Sequence, residues 1–252
     1  MSIYDELKQN ISDETLCAVV TIVTGANIGA KIIAYTNGHT SGDLGNAALQ
    51  SQVVRDAQRA MQIEQSENRA YGDAEIFIEV FAPKPKLVIF GGVQTAIPLT
   101  QYAQSLGFHV TIIDGRAHFA TRERFPTADQ IIVEWPEEAL AKIKMNSATY
   151  VAILTHDPKF DIPALAALSQ ITPVPRYIGS MGSRETRKQH FAELRAMGVS
   201  EKFLARVHGP IGLDLGGHTP EEMALAIIAE VVAVRYGRRG GFLKEESKNP
   251  RL

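Results

Sequence analysis

Apolar and polar residues alternate with different periods in the two parts of the chain. Up to residue 82 the pattern is strand-rich. Residues 16–23 form a continuous apolar run, residues 31–36 a second run closed by Asn37-Gly38, and residues 75–81 alternate with period two. That alternation marks a strand with one wet face, and Asn-Gly tolerates the positive φ of a tight turn. A helix is predicted over residues 46–63. These elements predict a small α+β domain with an antiparallel sheet over residues 1–82.

Beyond Ala82-Pro83-Lys84-Pro85-Lys86, short apolar runs take turns with helical stretches. Strands are predicted over residues 87–90, 110–113, 131–133, 150–154, 176–178 and 207–211. Helices are predicted over residues 95–105, 136–145, 162–168, 183–197 and 220–235. The last has the clearest start: Thr219 as N-cap, Pro220 at the first helical position and Glu222 completing a capping box. Short apolar strands separated by helices bury both faces in a parallel sheet with helices on each side. The predicted fold class is therefore α/β, with a Rossmann-like domain over residues 86–240 and a mobile tail over residues 241–252.

Three of these strands end abruptly in chemistry. One runs into Thr155-His156-Asp157, one into Gly179-Ser180-Met181-Gly182-Ser183-Arg184, and one region into Asp214-Leu215-Gly216-Gly217-His218. Carboxyl ends of strands in an open α/β sheet build its ligand crevice, so one shared site is predicted. His156 beside Asp157 suits proton transfer or an anionic ligand. The amides of Gly182 and Ser183 with the guanidinium of Arg184 suit a phosphate at a helix start, whereas Arg187 and Lys188 are expected in solvent. Glu221 is left over from the cap and free to face the crevice. Cys17, within an apolar strand, reads as a small core residue.

Gly91-Gly92-Val93 stands where a dinucleotide fold places its glycine loop, and Asp114 where it places a ribose-binding carboxylate, with Arg116 available to a phosphate or to Asp114 itself. Val93, however, occupies the second glycine position, where a side chain crowds the pyrophosphate path. Bound NAD(P) or FAD is therefore the lesser expectation.

Composition narrows the classes further. A chain of 252 residues with net charge −2 offers no broad electrostatic case for nucleic acid. No apolar stretch approaches a membrane span, and the polar start is no signal peptide, so a cytoplasmic location is expected. One cysteine excludes an internal disulfide or a multi-thiolate metal site; no metal site and no self-contained catalytic group are predicted.

In order along the chain, Leu106-Gly107-Phe108, Asp114-Gly115-Arg116, Phe119-Ala120, Arg124-Phe125-Pro126-Thr127-Ala128-Asp129, Thr155-His156-Asp157, Tyr177-Ile178-Gly179, Gly182-Ser183-Arg184, Pro210-Ile211-Gly212-Leu213-Asp214, Thr219-Pro220-Glu221-Glu222 and Ala229-Glu230 form a specific set. From residue 86 to about 240 the chain resembles the XdhC/CoxI family, accessory factors of xanthine dehydrogenase and carbon monoxide dehydrogenase. The resemblance implies an accessory factor more than a catalyst: a chaperone that binds molybdenum cofactor and supports its sulfuration and insertion into a molybdenum hydroxylase. A cysteine desulfurase and a second copy of the chain are implied as further partners. The ligand residues implied are His156, Asp157, Gly179, Gly182, Ser183, Arg184, Asp214 and Glu221, with Gly91, Gly92, Asp114 and Arg116 at the neighbouring loop. Two departures stand out: Gly91-Gly92-Val93 replaces the family's Gly-Ala-Gly, and Ser41-Gly42-Asp43-Leu44-Gly45 lacks the cysteine of its glycine-glycine-cysteine turn. An NAD(P)-dependent oxidoreductase and a non-catalytic adaptor for hydroxylase assembly remain the alternatives.

Overall fold

The computed structural model describes residues 2–245. The chain divides into two compact units, Met1–Lys84 and Pro85–Leu252. Of the tail predicted from residue 241, residues 246–252 lie outside the described residues, and Leu243–Glu245 form a 3-10 turn.

The first unit runs α1 (Ile3–Ser12), β1 (Cys17–Thr24), β2 (Lys31–Tyr35), β3 (Thr40–Gly42), α2 (Ala47–Ile63), β4 (Glu67–Tyr71) and β5 (Ala74–Phe81). Its strands pair antiparallel in the order β3-β2-β1-β5-β4. Period-two alternation splits β1 between two cores. Ala18, Val20 and Ile22 pack with Val53, Ala57 and Met61 of α2, while Cys17 and Val19 pack with Ile33, Ile3 and Leu7. The sequence pattern does not predict α1, whose few apolar positions leave it without a fully buried residue. Nor does it mark β4, a polar edge strand that needs only one paired side.

The second unit runs β6 (Lys86–Phe90), α3 (Ala96–Ser105), β7 (His109–Ile113), β8 (Gln130–Ile132), α4 (Pro136–Leu140), β9 (Thr149–Ile153), α5 (Pro158–Leu168), β10 (Tyr177–Ser180), α6 (Arg184–Ala196), α7 (Glu201–Leu204), β11 (Val207–His208) and α8 (Pro220–Arg235). All six strands are parallel, in the order β11-β10-β9-β6-β7-β8. Both faces are covered. Val88, Phe90, Val151, Ile153 and Ile178 look into one core; Leu87, Ile89, Tyr150, Ala152 and Tyr177 look into the other, against α8 residues Ala224, Ile227 and Val231. The order reverses between β6 and β9, the topological switch point of a Rossmann sheet.

Three elements differ from expectation. The helix predicted over residues 136–145 stops at Leu140. The one predicted from residue 162 begins at Pro158, capped by the Asp157 side chain accepting from Lys159 N–H; a proline at the first helical position loses nothing. The strand predicted over residues 207–211 ends at His208, as Pro210 has no N–H to extend the ladder. Among the described residues, no helix is long and apolar enough to cross a membrane.

Leu87 is fully buried in a central strand. Leu87→Ala should therefore lower the unfolding free energy by about 2–5 kcal/mol, the range for emptied aliphatic core sites. Denaturant unfolding of the two proteins checks this.

Candidate functional site

The switch point is built from Gly91 and Gly92 after β6 and Leu154-Thr155 after β9. It is filled by the chain itself. A Cβ on Gly91 would lie 2.6 Å from Thr155 Cγ2, and one on Gly92 2.3 Å from the Phe119 carbonyl oxygen. The second-glycine position, Val93, packs partly buried on the α8-side core. Asp114, fully buried, turns its carboxylate back onto this loop. Oδ2 accepts from Gly92 N–H at 2.9 Å, and Arg116 donates to both oxygens at 2.9 and 2.8 Å. Burial raises the Asp114 pKa, but these donors outweigh it and hold the carboxyl below its ordinary value. The Arg116 guanidinium lies 4.1 Å from the Phe119 ring centre. The carboxylate placed for a ribose thus pairs with Arg116, and of the two partners the sequence left open to that arginine it takes Asp114.

The open crevice lies one strand over. A cleft of about 620 Å³ is lined by His156 after β9, by Gly182, Ser183 and Thr186 at the start of α6, by the 210–218 loop with Asp214 and His218, and by Met223 and Ile227 of α8. Its size is that of small-molecule sites. The amino ends of two helices meet there. Ser183 caps α6 by accepting from Thr186 N–H at 3.0 Å, while the N–H groups of Arg184 and Glu185 have no partner among the described residues. The start of α8 closes as a capping box, with Glu222 accepting from His218 and Thr219 N–H at 2.9 and 3.0 Å. Unpaired amides and the helix dipole favour an anion at the α6 end.

Each anchor of the 209–213 segment is visible. Ile211 N–H donates to Ser180 O at 3.2 Å and Leu213 N–H to Ala226 O at 3.1 Å. Gly212 N–H donates to Glu230 Oε2 at 2.7 Å. The same carboxylate takes the Tyr177 hydroxyl at 2.5 Å, and its other oxygen sits 2.9 Å from His208 Nδ1. Burial works against the Glu230 charge, but these three contacts prevail and keep its pKa below the ordinary value. Desolvation together with that charge drives the Tyr177 hydroxyl well above its own.

The predicted residues therefore separate. His156, Gly182, Ser183 and Asp214 share the cleft. Asp157 does not line it and serves as the cap of α5. Gly179 is a packing residue, since a Cβ would sit 2.4 Å from the Tyr177 hydroxyl and 2.6 Å from Ile211. Glu221 is exposed outside the cleft lining. Gly91, Gly92, Asp114 and Arg116 form the closed loop beside β6. Arg184 lines a different groove, with Arg187 and Lys188, because positions i, i+3 and i+4 share a helix face. The expectation of Arg187 in solvent is corrected: it is half-buried and donates to Gly209 O at 3.0 Å and Val207 O at 3.2 Å. Sequence reasoning missed the Tyr177–His208–Glu230 cluster, whose members lie too far apart in the chain to form a motif.

Asp161, in the first turn of α5, has no exposed surface. Thr155 donates a short hydrogen bond to Oδ1, whereas Oδ2 is buried without a partner. Desolvation, against the Thr155 contact and aided by the charge of Asp157, pushes this carboxyl up to about 7. It sits directly behind the loop that carries His156. Cys17, in the other unit, is equally unsuited to ionise: burial, with the field of Glu6, pushes its thiol up to about 11.

A family model described as the XdhC Rossmann domain matches residues 87–231, more than half of the chain. The chain belongs to this family. It is 29% identical over 160 residues to a Bacillus subtilis protein named as a probable xanthine dehydrogenase subunit, covering 64% of this chain and 46% of the relative. It is 26% identical over 155 residues to the molybdenum cofactor insertion chaperone PaoD of Escherichia coli, covering 62% and 42%. An uncharacterized Escherichia coli protein, YqeB, is 25% identical over 235 residues, covering 86% and 42%. The chain spans less than half the length of these three relatives. A crystal structure described as a xanthine dehydrogenase from Bacillus halodurans superposes with a TM-score of 0.55 at 19% identity, covering 99% of this chain and 98% of that one. At that identity the match concerns the fold.

Asp161 ionises near 3.8 when solvated and near 7 in the fold. Between those pH values the folded chain holds a proton that the unfolded chain has lost. Its contribution to stability is thus full below that window and falls as pH rises through it, by roughly 4 kcal/mol in all. Asp161→Asn should flatten this fall and melt above the parent at alkaline pH. Parallel melting-temperature curves for the two proteins across the window would contradict the assignment.

Proposed function

We propose that this chain binds molybdenum cofactor in the cleft between α6 and α8 and supports its sulfuration and insertion into a xanthine dehydrogenase-type hydroxylase. The observation that carries this reading is the meeting of unpaired α6 amides with His156 and Asp214 around one small-molecule-sized cleft. The donor set fits a phosphorylated pterin. The amides of the α6 start, beside Gly182 and Ser183, suit the phosphate. The Asp214 carboxylate suits the amino-pyrimidinone edge of a pterin, which offers adjacent N–H donors. His156, which lines the same cleft, suits an anionic ligand. When bound, the cofactor supplies the redox and oxygen-transfer chemistry of the client; the residues here only hold, orient and shield it.

The names of the relatives from Bacillus subtilis and Escherichia coli support the same reading. The chain's thiol is a poor sulfur carrier, because Cys17 is fully buried and its pKa is raised. Sulfur in this reading comes from a partner of the cysteine desulfurase type, and the chain acts as a carrier. A homodimer is compatible with this role. The NAD(P) alternative is disfavoured by the Phe119 carbonyl against Gly92 and by the mutual pairing of Asp114 and Arg116.

The test is molybdopterin retention by the purified protein, read as fluorescence of the released, oxidised pterin. Losing a hydrogen bond to a charged group costs about 1.5–3 kcal/mol. His156→Ala and Asp214→Asn should therefore each weaken retention by roughly one to two decades, with melting temperatures unchanged because both side chains are exposed. Undiminished retention in both variants, or NAD binding tighter than pterin, would overturn the reading.

A further inference from the structure

A second groove, of about 440 Å³, follows another face of α6 towards α7. Arg184, Arg187, Lys188 and Arg195 line it, with Glu201 as its one carboxylate. The chain as a whole carries −2, so this concentration of positive charge is local. Two of the four cations are neutralised by exposed carboxylates: Arg195 with Glu201 at 2.5 Å and Lys188 with Glu185 at 3.3 Å. The other two are not. Arg187 donates from Nη1 and Nη2 to the Gly209 and Val207 carbonyls, whose dipoles do not cancel the charge, and its Nε is buried without a partner. Its guanidinium rests 4.8 Å from the Phe191 ring centre. Arg184, one turn earlier, is exposed, and its guanidinium makes no ion pair or hydrogen bond among the described residues.

We propose that this groove docks an acidic segment of the protein that receives the ligand. Carboxylates of that segment pair with Arg184 and Arg187, and an apolar residue rests on the floor formed by Phe191 and Ala205. Extent favours a polypeptide over a small anion: from residue 184 to residue 195 the helix rises about 16 Å, several times the width of one phosphate. The apolar floor favours a peptide over nucleic acid. Only the naming of the partner as recipient rests on the cofactor reading above. Docking here has a direct route to the cleft, because α6 begins at its wall and Arg187 holds the carbonyl of Gly209 at its lip. Charge pairs at such surfaces also steer encounter.

The experiment is fluorescence anisotropy with a labelled peptide of alternating glutamate and leucine, titrated with the full chain. A lysine-for-glutamate peptide is the control. Saturable binding that weakens with salt is expected, falling about tenfold in Arg184→Ala/Lys188→Ala. Both side chains are exposed, so the melting temperature of that variant should match the parent. Lys8→Ala, an exposed change in the other unit, should bind as the parent does. Absence of saturable binding, equal affinity for the lysine peptide, unchanged affinity in the double variant, or tighter binding of single-stranded DNA would each overturn the proposal. No pterin is present in this assay, so its failure leaves the cofactor reading standing, and failure of pterin retention leaves the groove untouched.

Discussion

The Glu230 carboxylate ties together the elements that shape the cleft. One oxygen takes the Tyr177 hydroxyl of β10 and the Gly212 amide of the following loop, and the other meets His208 of β11. Three segments separated in sequence are held by one charge on α8. A half-buried carboxylate is costly unless its lone pairs are used, and here hydrogen-bond donors from three elements use them. The short β11 could not position the 209–213 segment by strand pairing, since its ladder to β10 has two residue pairs. Side-chain contacts and three consecutive backbone anchors do that work instead. Gly179 belongs to the same arrangement, because only the absence of a Cβ lets the Tyr177 hydroxyl and Ile211 approach its backbone.

The sheet order places a switch point between β6 and β9, yet the cleft of about 620 Å³ is elsewhere. Phe119 presses on Gly92, Thr155 presses on Gly91, and Arg116 closes on Asp114. A Rossmann sheet thus keeps its topology while its usual nucleotide loop becomes a packed corner. The open cleft lies on the β9–β10–β11 side, where the start of α6 leaves amides unpaired and the start of α8 is closed by its capping box. Site chemistry follows from which strand ends remain open, and the fold class alone does not decide that.

Helix α6 serves two surfaces because its residues divide by angular position. Ser183 and Thr186 look into the cleft, whereas Arg184, Arg187, Lys188 and Arg195 look into the basic groove. Arg187 joins the two by gripping the backbone of the 207–209 segment. On the proposed reading, a ligand at one face and a protein partner at the other share a single rigid element. Behind the neighbouring loop, Asp161 keeps an unpartnered oxygen beside Thr155. That is a local cost borne by the fold.

Much of this was legible in the chain itself. Period-two alternation and short apolar runs between helices identified an antiparallel sheet followed by a parallel one, because each pattern can bury its apolar side chains in only one way. Local capping signals located α8 to the residue and marked Ser183 as the start of α6. Strand-end chemistry brought His156, Gly182, Ser183 and Asp214 to one place, since parallel strands end on one edge of the sheet. The direction of side chains was not legible. Arg184 turned away from the cleft, Arg187 turned into backbone contacts, and Asp157 became a cap. Tyr177, His208 and Glu230 met only through the packing of β10, β11 and α8. Local sequence sets periodicity and caps through neighbours a few residues away. Which groups are left free for a ligand depends on contacts between residues tens of positions apart, and only the tertiary structure decides those.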